Sequence, residues 1–392
     1  MRKVILNFLL PLVTTASFSQ IQTPSLLWEY SHNIDVKQVA NDNYGNFYLC
    51  GSFAGTKDLD ITSATTIATS TDNGFGTPTA DACLAKYGAS GNLVWKIILS
   101  STTDDLYHNV TVDASGNIYV FGTTTNTTNI NPLGTSFYLS ASGNFIAKYS
   151  SNGQLIWAFQ TDISVPVESF AVNHVEFITL DQTNQQLLVA GFFDDTVDVD
   201  PAIGTTYLLY DTTTTLNRKT FAIVKYDFNG NFISAADFEG ANDRAPIGSN
   251  MFEFSRIKTD GIGNIWILGQ IYQYTVDIDP SAALNNVVGT GGLNTGCIAK
   301  FDANFQFQFA NVLTGSRFAT LNFDSQNNLL LAGDFAGTPD FDLALVIHTY
   351  LRAHQVQIFL LQNTIKIWVL SQHLHMVIPQ QHSLGFIQFL QM

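Results

Sequence analysis

Positive charge is what this chain has least of. Its 392 residues carry 17 Lys and Arg against 32 Asp and Glu, a formal net charge of −15, and charged residues of both signs reach only 12%. Sequence-independent nucleic-acid binding needs a basic face to neutralise phosphates, so that class is excluded, and anionic lipid surfaces are disfavoured on the same ground. Cysteine is nearly as scarce, with Cys50, Cys83 and Cys297 the only three. An odd, sparse set makes no disulfide framework. Cys83 and Cys297 each stand three residues before a recurring lysine, Lys86 or Lys300, so both read as small apolar side chains in equivalent slots. A Cys50–Cys83 bond is the alternative. Patterns that carry chemistry are missing as well. His32, His108 and His174 are scattered without a G-x-S-x-G elbow, and no spaced His/Cys cluster offers zinc a site. Gly289-Thr290-Gly291-Gly292 opens no helix, so it reads as a flexible loop and not as a phosphate cradle.

What the chain has in quantity is Thr, Ser, Asn, Gly and aromatic residues, the composition of short strands joined by polar turns. They are arranged in repeats. Asp113-Ala114-Ser115-Gly116-Asn117 leads into Ile118-Tyr119-Val120-Phe121-Gly122, and degraded copies stand at 42–51, 181–191, 260–269 and 324–333. A second signature alternates with the first: Ala147-Lys148-Tyr149, then Ser151-Asn152-Gly153-Gln154, then Leu155-Ile156-Trp157. Asn or Gly in each turn tolerates positive φ, so both signatures predict β-hairpins. The lysines Lys86, Lys148, Lys225 and Lys300 recur 62, 77 and 75 residues apart. Each period therefore holds about four short strands and no helical stripe, which predicts an all-β chain of four-stranded β-propeller blades. Five blades begin. Trp28, Trp95 and Trp157 share one slot, followed there by Ser234 and Phe309, and they read as blade-packing aromatics. Trp266 falls in the strand that ends in Gly, where other copies place Tyr48, Tyr119, Leu188 and Leu329, and reads as core.

The alternation of D-x-x-G-N-x-Y-V-x-G with F-I-A-K-Y-x-x-N-G-x-L-x-W over about residues 26–342 resembles the secreted β-propeller repeat family called SBBP. The resemblance implies export and the propeller fold. In Bacteroidota such proteins often end in a C-terminal sorting domain for type IX secretion, and none is recognisable here. The ends of the chain fit and break this picture in turn. Arg2 and Lys3, the apolar stretch 4–13 and Ser17-Phe18-Ser19 before Gln20 form a secretory signal peptide, expected at residues 1–19, with propeller repeats at 20–342. From Leu343 onward the language changes. Residues 343–392 contain no Asp or Glu, eight Gln and five of the chain's eight His. Reading the third base of each codon with the first two of the next, and letting the repeat guide degenerate positions, the shifted frame from Asp342 onward can spell DFDPSAGNTYLSTSTSGSDIFIAKYNQN. That string restores the Pro expected by analogy with Pro201 and Pro280, and a further A-K-Y. The expectation is an out-of-frame tail at 343–392, in which His373-Leu374-His375 has no metal role and the fifth blade loses its second hairpin.

The best polar constellation is a doublet in the long loop of each blade: Asp58/Asp60, Asn129/Asn131, Asp198/Asp200, Asp277/Asp279 and Asp340/Asp342. Residues two apart on an extended backbone point to one side. Asp198, Asp200, Asp277 and Asp279 are accordingly the candidate Ca²⁺ ligands, since hard cations favour clustered oxygens. The competing reading is that each Asp or Asn bonds to local backbone amides. The repeat residues Asp113, Gly116, Asn117, Lys148, Tyr149, Trp95 and Trp157 read as structural, because a catalytic group is needed once and not five times. Function is therefore expected to be non-catalytic binding of an extracellular or cell-surface protein or glycan by variable loops on a rigid scaffold. The alternative is a propeller enzyme: G-x-L-x-W is similar to quinoprotein propellers, and D-x-x-G-N-x-Y/W to the streptogramin-lyase class.

Overall fold

The computed structural model describes residues 34–125, 127–163, 177–193, 196–202, 207–209, 220–242, 252–271, 275–281, 283, 285–289, 295–324 and 326–335, with short strands at 351–352, 357–361, 368–369 and 375–376. The chain divides into Met1–Ser31 and His32–Met392, and every described residue belongs to the second unit. The leader at 1–19, Trp28, His32, His174 and the Asp340/Asp342 doublet lie outside the described residues.

The described residues form strands and turns throughout. Blade 1 is the sheet β1 (Asp35–Asn41), β2 (Phe47–Phe53), β5 (Asp81–Tyr87), β6 (Leu93–Leu99), with a small hairpin β3 (Thr56–Asp58) and β4 (Ile67–Thr69) inserted between its second and third strands. Blade 2 runs β7 (Leu106–Val112), β8 (Ile118–Thr124), β9 (Gly143–Tyr149), β10 (Leu155–Thr161). Blade 3 comprises β11 (Ile178–Asp181), β12 (Gln186–Phe193), β15 (Thr220–Asp227) and β16 (Phe232–Asn242), with β13 (Thr196–Asp198) and β14 (Tyr207–Leu209) as its inserted hairpin. In blade 4, β17 (Phe252–Thr259), β18 (Ile265–Ile271), β21 (Thr295–Phe301) and β22 (Phe307–Thr314) repeat the order around the insertion β19 (Thr275–Asp277) and β20 (Asn286–Val288). All neighbours within these four sheets are antiparallel, so each is an up-and-down meander. These are the four-stranded blades of a β-propeller.

The fifth blade departs from expectation. β23 (Ser316–Phe323) and β24 (Leu329–Phe335) form its first hairpin, and the tail then adds β26 (Gln357–Leu361) to β24 and β27 (Trp368–Val369) to β26, while β25 (Leu351–Arg352) pairs with β28 (His375–Met376). The second hairpin is thus replaced and not lost. An exposed edge offers unpaired N–H and C=O groups to any β-prone apolar run, and Gln-Ile-Phe-Leu-Leu is one. The register also moves one assignment: Leu330, and not Leu329, stands where Tyr119 and Trp266 stand in their blades.

First strands of successive blades touch one another, β1 with β7, β7 with β11, β11 with β17 and β17 with β23, so they line the common axis. Each of β1, β7, β17 and β23 carries one bulge, and the repeat glycine, two residues before the end of the second strand, faces it. A Cβ on Gly51, Gly122 or Gly333 would lie 2.0, 2.6 or 2.1 Å from the carbonyl oxygen of Asp35, Leu106 or Arg317. That approach is why the apolar run of the repeat stops at glycine. Two side chains after the bulge then tie axis strands together: Gln38 Oε1 accepts from Val110 N–H at 2.9 Å and Asn109 Oδ1 from Phe177 N–H at 2.6 Å.

Most of the core lies between blades, and a smaller cluster with Leu49, Phe53, Leu59 and Tyr87 packs within blade 1. One cluster joins Tyr48 and Leu84 of blade 1 to Tyr107, Val120 and Phe145 of blade 2. Another joins Tyr119 and Phe121 to Val189, Phe221, Phe254 and Ile267 across blades 2 to 4. Each fully buried aromatic of this kind contributes about 1.5–3 kcal/mol of transfer free energy, so blade pairing is driven mainly by these aromatics. Cys50 and Cys297 are buried free thiols within the clusters between blades, and Cys83 within that of blade 1; Cys50 faces Leu84, while Cys83 faces Gly51, so the alternative bridge is not formed.

Candidate functional site

The meander gives every blade two unlike ends. Connections from strand one to two, and from three to four, are tight turns at one end. The insertions between strands two and three, and the crossings to the next blade, emerge at the other. The repeat signatures turn out to build the turn end.

Asp113 Oδ1 accepts the amides of Ser115 and Asn117, each at 2.9 Å, while Oδ2 accepts Asn117 Nδ2 at 2.9 Å and Tyr119 Oη at 3.2 Å. Gly116 closes the turn at φ 80°. Asp42, Asp260 and Asp324 make the same two amide bonds in their own turns, and Asp181 makes a shortened version with Asn184. Burial alone would raise the Asp42 carboxyl, but bonds from Asn46, Tyr44 and Tyr48 outweigh it and hold the group below the ordinary carboxylate value.

The lysine and the tryptophan of the second signature act together, which the linear pattern does not reveal. Lys148 Nζ donates to Phe228 O at 2.8 Å and Trp157 Nε1 donates to the same oxygen at 3.2 Å. One blade earlier, Lys86 and Trp95 both donate to Ser151 O, at 3.3 and 3.0 Å. Lys225 donates to Ala303 O in blade 4. Each acceptor lies in the three-to-four turn of the following blade, so each blade clasps the turn of the next, through two donors in blades 1 and 2 and through Lys225 in blade 3. The ammonium also sits over a ring: 4.9 Å from the Tyr119 centroid for Lys148, 4.3 Å from Phe305 for Lys225 and 4.9 Å from Trp266 for Lys300. Lys148 and Lys225 are therefore buried inter-blade donors. Burial lowers the proton affinity of Lys148 and Lys225, while Asp113 and Asp227 beside Lys148, and Asp181 and Asp302 beside Lys225, pull it back up.

Tyr149, the last residue of the A-K-Y signature, ties the insertion to its own blade. Its Oη donates to Ile130 O at 2.7 Å, as Tyr87 does to Leu59 O at 2.8 Å and Tyr226 to Val199 O at 2.9 Å. Those carbonyls belong to the residue in the middle of each polar doublet, and its side chain is buried in every case. The doublet oxygens meanwhile bond locally. Asp198 Oδ1 accepts Asp200 N–H at 3.0 Å and Asp200 Oδ1 accepts Ala202 N–H at 2.9 Å. Asp277 Oδ1 takes the amides of Asp279 and Asn285, and Asp279 takes Ser281 N–H and Asn285 Nδ2. Asp58 and Asn129 repeat the pattern. The four candidate Ca²⁺ ligands stand in two separate blades as Asx turns. Among the described residues no group of three or more His, Cys, Asp or Glu side chains comes together in an arrangement able to hold a metal.

Two features have no counterpart in the repeat. A polar cleft of about 390 Å³ opens where Asn144, Gln160 and Asp162 of blade 2 meet Asp198 of blade 3. Behind it His108 Nε2 lies 2.9 Å from Thr123 Oγ1, which donates to Asn144 Oδ1 at 2.8 Å, while Asn144 Nδ2 donates to Ile163 O at 3.1 Å. The carbonyl of Ile163 can only accept, which fixes the orientation of the Asn144 amide. The single Thr123 proton then points at Asn144, so His108 Nε2 must donate to the hydroxyl. A histidine acting as base would have to accept that proton; this relay holds loops in place and does not activate a nucleophile. The second feature is exposed aromatic surface on the insertions. Phe75 is 92% exposed, Tyr138 54% and Phe137 42%. The repeat pattern passed over these three because insertions differ from blade to blade; an aromatic between turn-forming Gly, Asn and Thr was the available signal.

No protein-family model and no curated protein matches the chain. Among solved structures, one described as "Structure of Dos1 propeller" is similar over 87% of this chain and 83% of its own, at 10% identity and a TM-score of 0.35.

Proposed function

We propose that the protein is an exported, non-catalytic recognition scaffold built from SBBP-type propeller repeats, which binds a protein or glycan outside the cell or on its surface through the insertions of its blades. The observation that carries this reading is the contrast between the repeats and the insertions. Recurring polar groups are consumed in turns, clasps and doublet contacts, whereas Phe75, Phe137 and Tyr138 stand in solvent on insertions of blades 1 and 2 that leave their sheets at the same end. Exposed large aromatics on rigidly anchored loops bring contact area at little entropic cost and are the residues that dominate protein interfaces. They stack equally well on sugar faces. The protein's negative charge restricts the partner to neutral or basic surfaces.

The test is a binding panel of neutral and basic glycans and outer-surface extracts, read with the purified chain and with Phe75→Ala and Tyr138→Ala. Saturable binding that weakens in both variants, with unchanged melting temperature, is expected. Binding insensitive to both substitutions, or chemical turnover of a bound glycan, would sink the proposal.

A further inference from the structure

At the junction of blades 1 and 2 two carboxylates are buried side by side. Asp81 opens β5 and Asp105 precedes β7, and both are 0% exposed. The backbone joins them directly: Asp105 N–H donates to Ala80 O at 2.8 Å, and Ala80 N–H donates to the carboxylate of Asp104 at 2.9 Å. The corresponding junction of blades 4 and 5 pairs Thr295 with Ser316, which stand at the same offsets from their repeat lysine and glycine. Two hydroxyls there are two carboxylates here.

Their hydrogen bonds are incomplete. Asp81 accepts Ser100 Oγ at 2.5 Å and Thr71 N–H at 3.1 Å. Asp105 Oδ1 accepts Thr124 Oγ1 at 2.6 Å, Thr128 Oγ1 at 3.1 Å and Thr125 N–H at 3.3 Å. Its other oxygen, Oδ2, is buried without a partner. The ion pair found among the described residues, Lys37 with Asp35, involves neither group. Burial raises the proton affinity of Asp81 above that of an ordinary carboxylate, and the neighbouring charge of Asp105 adds to it. Two buried negative charges without a cation are strongly unfavourable. One proton shared between them would leave one charge standing, whereas one divalent cation cancels both. The surrounding donors are hydroxyl oxygens of Ser100, Thr124 and Thr128, which suit a hard ion, and a dry site suits Ca²⁺ better than Mg²⁺, which keeps its waters. Ser100 and Asp104 are exposed, so the site lies one residue beneath a surface loop.

We propose that Asp81 and Asp105 form a buried Ca²⁺ site that staples blade 1 to blade 2. It is distinct from the doublets, whose oxygens are engaged in Asx turns. The experiment is calorimetric titration of the EDTA-treated full chain with CaCl₂ at neutral pH, alongside thermal melts with and without Ca²⁺. One saturable site and a higher melting temperature are expected. Asp105→Asn keeps the shape and removes the charge, and should weaken binding by about tenfold or more; Asp277→Asn with Asp279→Asn should leave binding intact. Should Asp105→Asn fail to fold, the wild-type titration decides alone. No saturable heat and an unchanged melt in millimolar Ca²⁺ overturn the proposal, as does loss of binding in the doublet variant but not in Asp105→Asn. A Ca²⁺-insensitive protein whose melting temperature rises from pH 7 to pH 5 would show a shared proton instead, and equally overturns it.

Discussion

Removing the clasp between blades 2 and 3 separates a shared acceptor from two private ones. Phe228 O receives Lys148 Nζ and Trp157 Nε1 at once. Lys148→Met deletes the ammonium but leaves the carbonyl bonded to the indole. The loss is a charge-assisted hydrogen bond, about 1.5–3 kcal/mol, and a cation–π contact of roughly 0.5–2 kcal/mol. Relief of the burial that depresses the Lys148 proton affinity offsets part of this, so a net cost of about 1–3 kcal/mol is expected. Trp157→Phe keeps most of the ring packing and leaves the carbonyl bonded to lysine, so it should cost about 1 kcal/mol. In the double variant the oxygen loses both donors, and a part-buried carbonyl without a partner costs about 1–3 kcal/mol more. The double variant should therefore be destabilised beyond the sum of the singles by roughly 1–2 kcal/mol. Urea denaturation of the four proteins, with the slope checked for constancy, measures this. Additivity within about 0.5 kcal/mol, or a Lys148→Met protein more stable than the parent, would refute a shared acceptor.

Tyr149→Phe leaves Ile130 O without its 2.7 Å donor and removes the bond to Tyr107 Oη; it should cost about 1–2 kcal/mol by the same urea assay. Acid should weaken the fold through Asp42, Asp227 and Asp279. Burial would raise each of them, but local hydrogen bonds hold each below the ordinary value, so their contribution is present above the unfolded carboxylate range and is lost as pH falls through the lower folded values. A melting temperature that climbs steadily as pH drops from 5 to 3 would contradict this. Burial pushes the thiols of Cys83 and Cys297 up to about 12 and Cys50 higher still, so native protein should not react with a thiol reagent at neutral pH, whereas unfolded protein should yield three thiols per chain. The nucleotide sequence beyond codon 342 should read on in the shifted frame as D-I-F-I-A-K-Y, and an early stop codon in that frame ends the idea.

Much of the architecture was legible in the linear pattern because turns and strand alternation are local. Asp113, Gly116 and Asn117 satisfy one another within five residues, so their repetition marks hairpins without reference to the rest of the chain. The doublets were half legible: two oxygens on one side of an extended segment are a local fact, but whether they face an ion or their own backbone depends on the chain's path after Asp200 or Asp279. Lys148 and Trp157 could be recognised as structural only in the negative sense that they recur. Their common acceptor lies about 70 to 80 residues downstream, and no local spacing announces it.

Four strands to a blade, the hairpin turns, the glycine that closes each apolar run and the point at which the array changes language were all written in the linear pattern. Those depend on backbone dihedrals and period, which neighbours a few residues apart decide. What emerged only on folding is the clasp on the following turn, the burial of Asp81 and Asp105, the exposure of Phe75 and Tyr138, and the capture of Gln357–Leu361 by the edge of β24. Burial and charge pairing depend on which surfaces meet when the blades pack, and that is a property of the assembled fold and not of any one repeat.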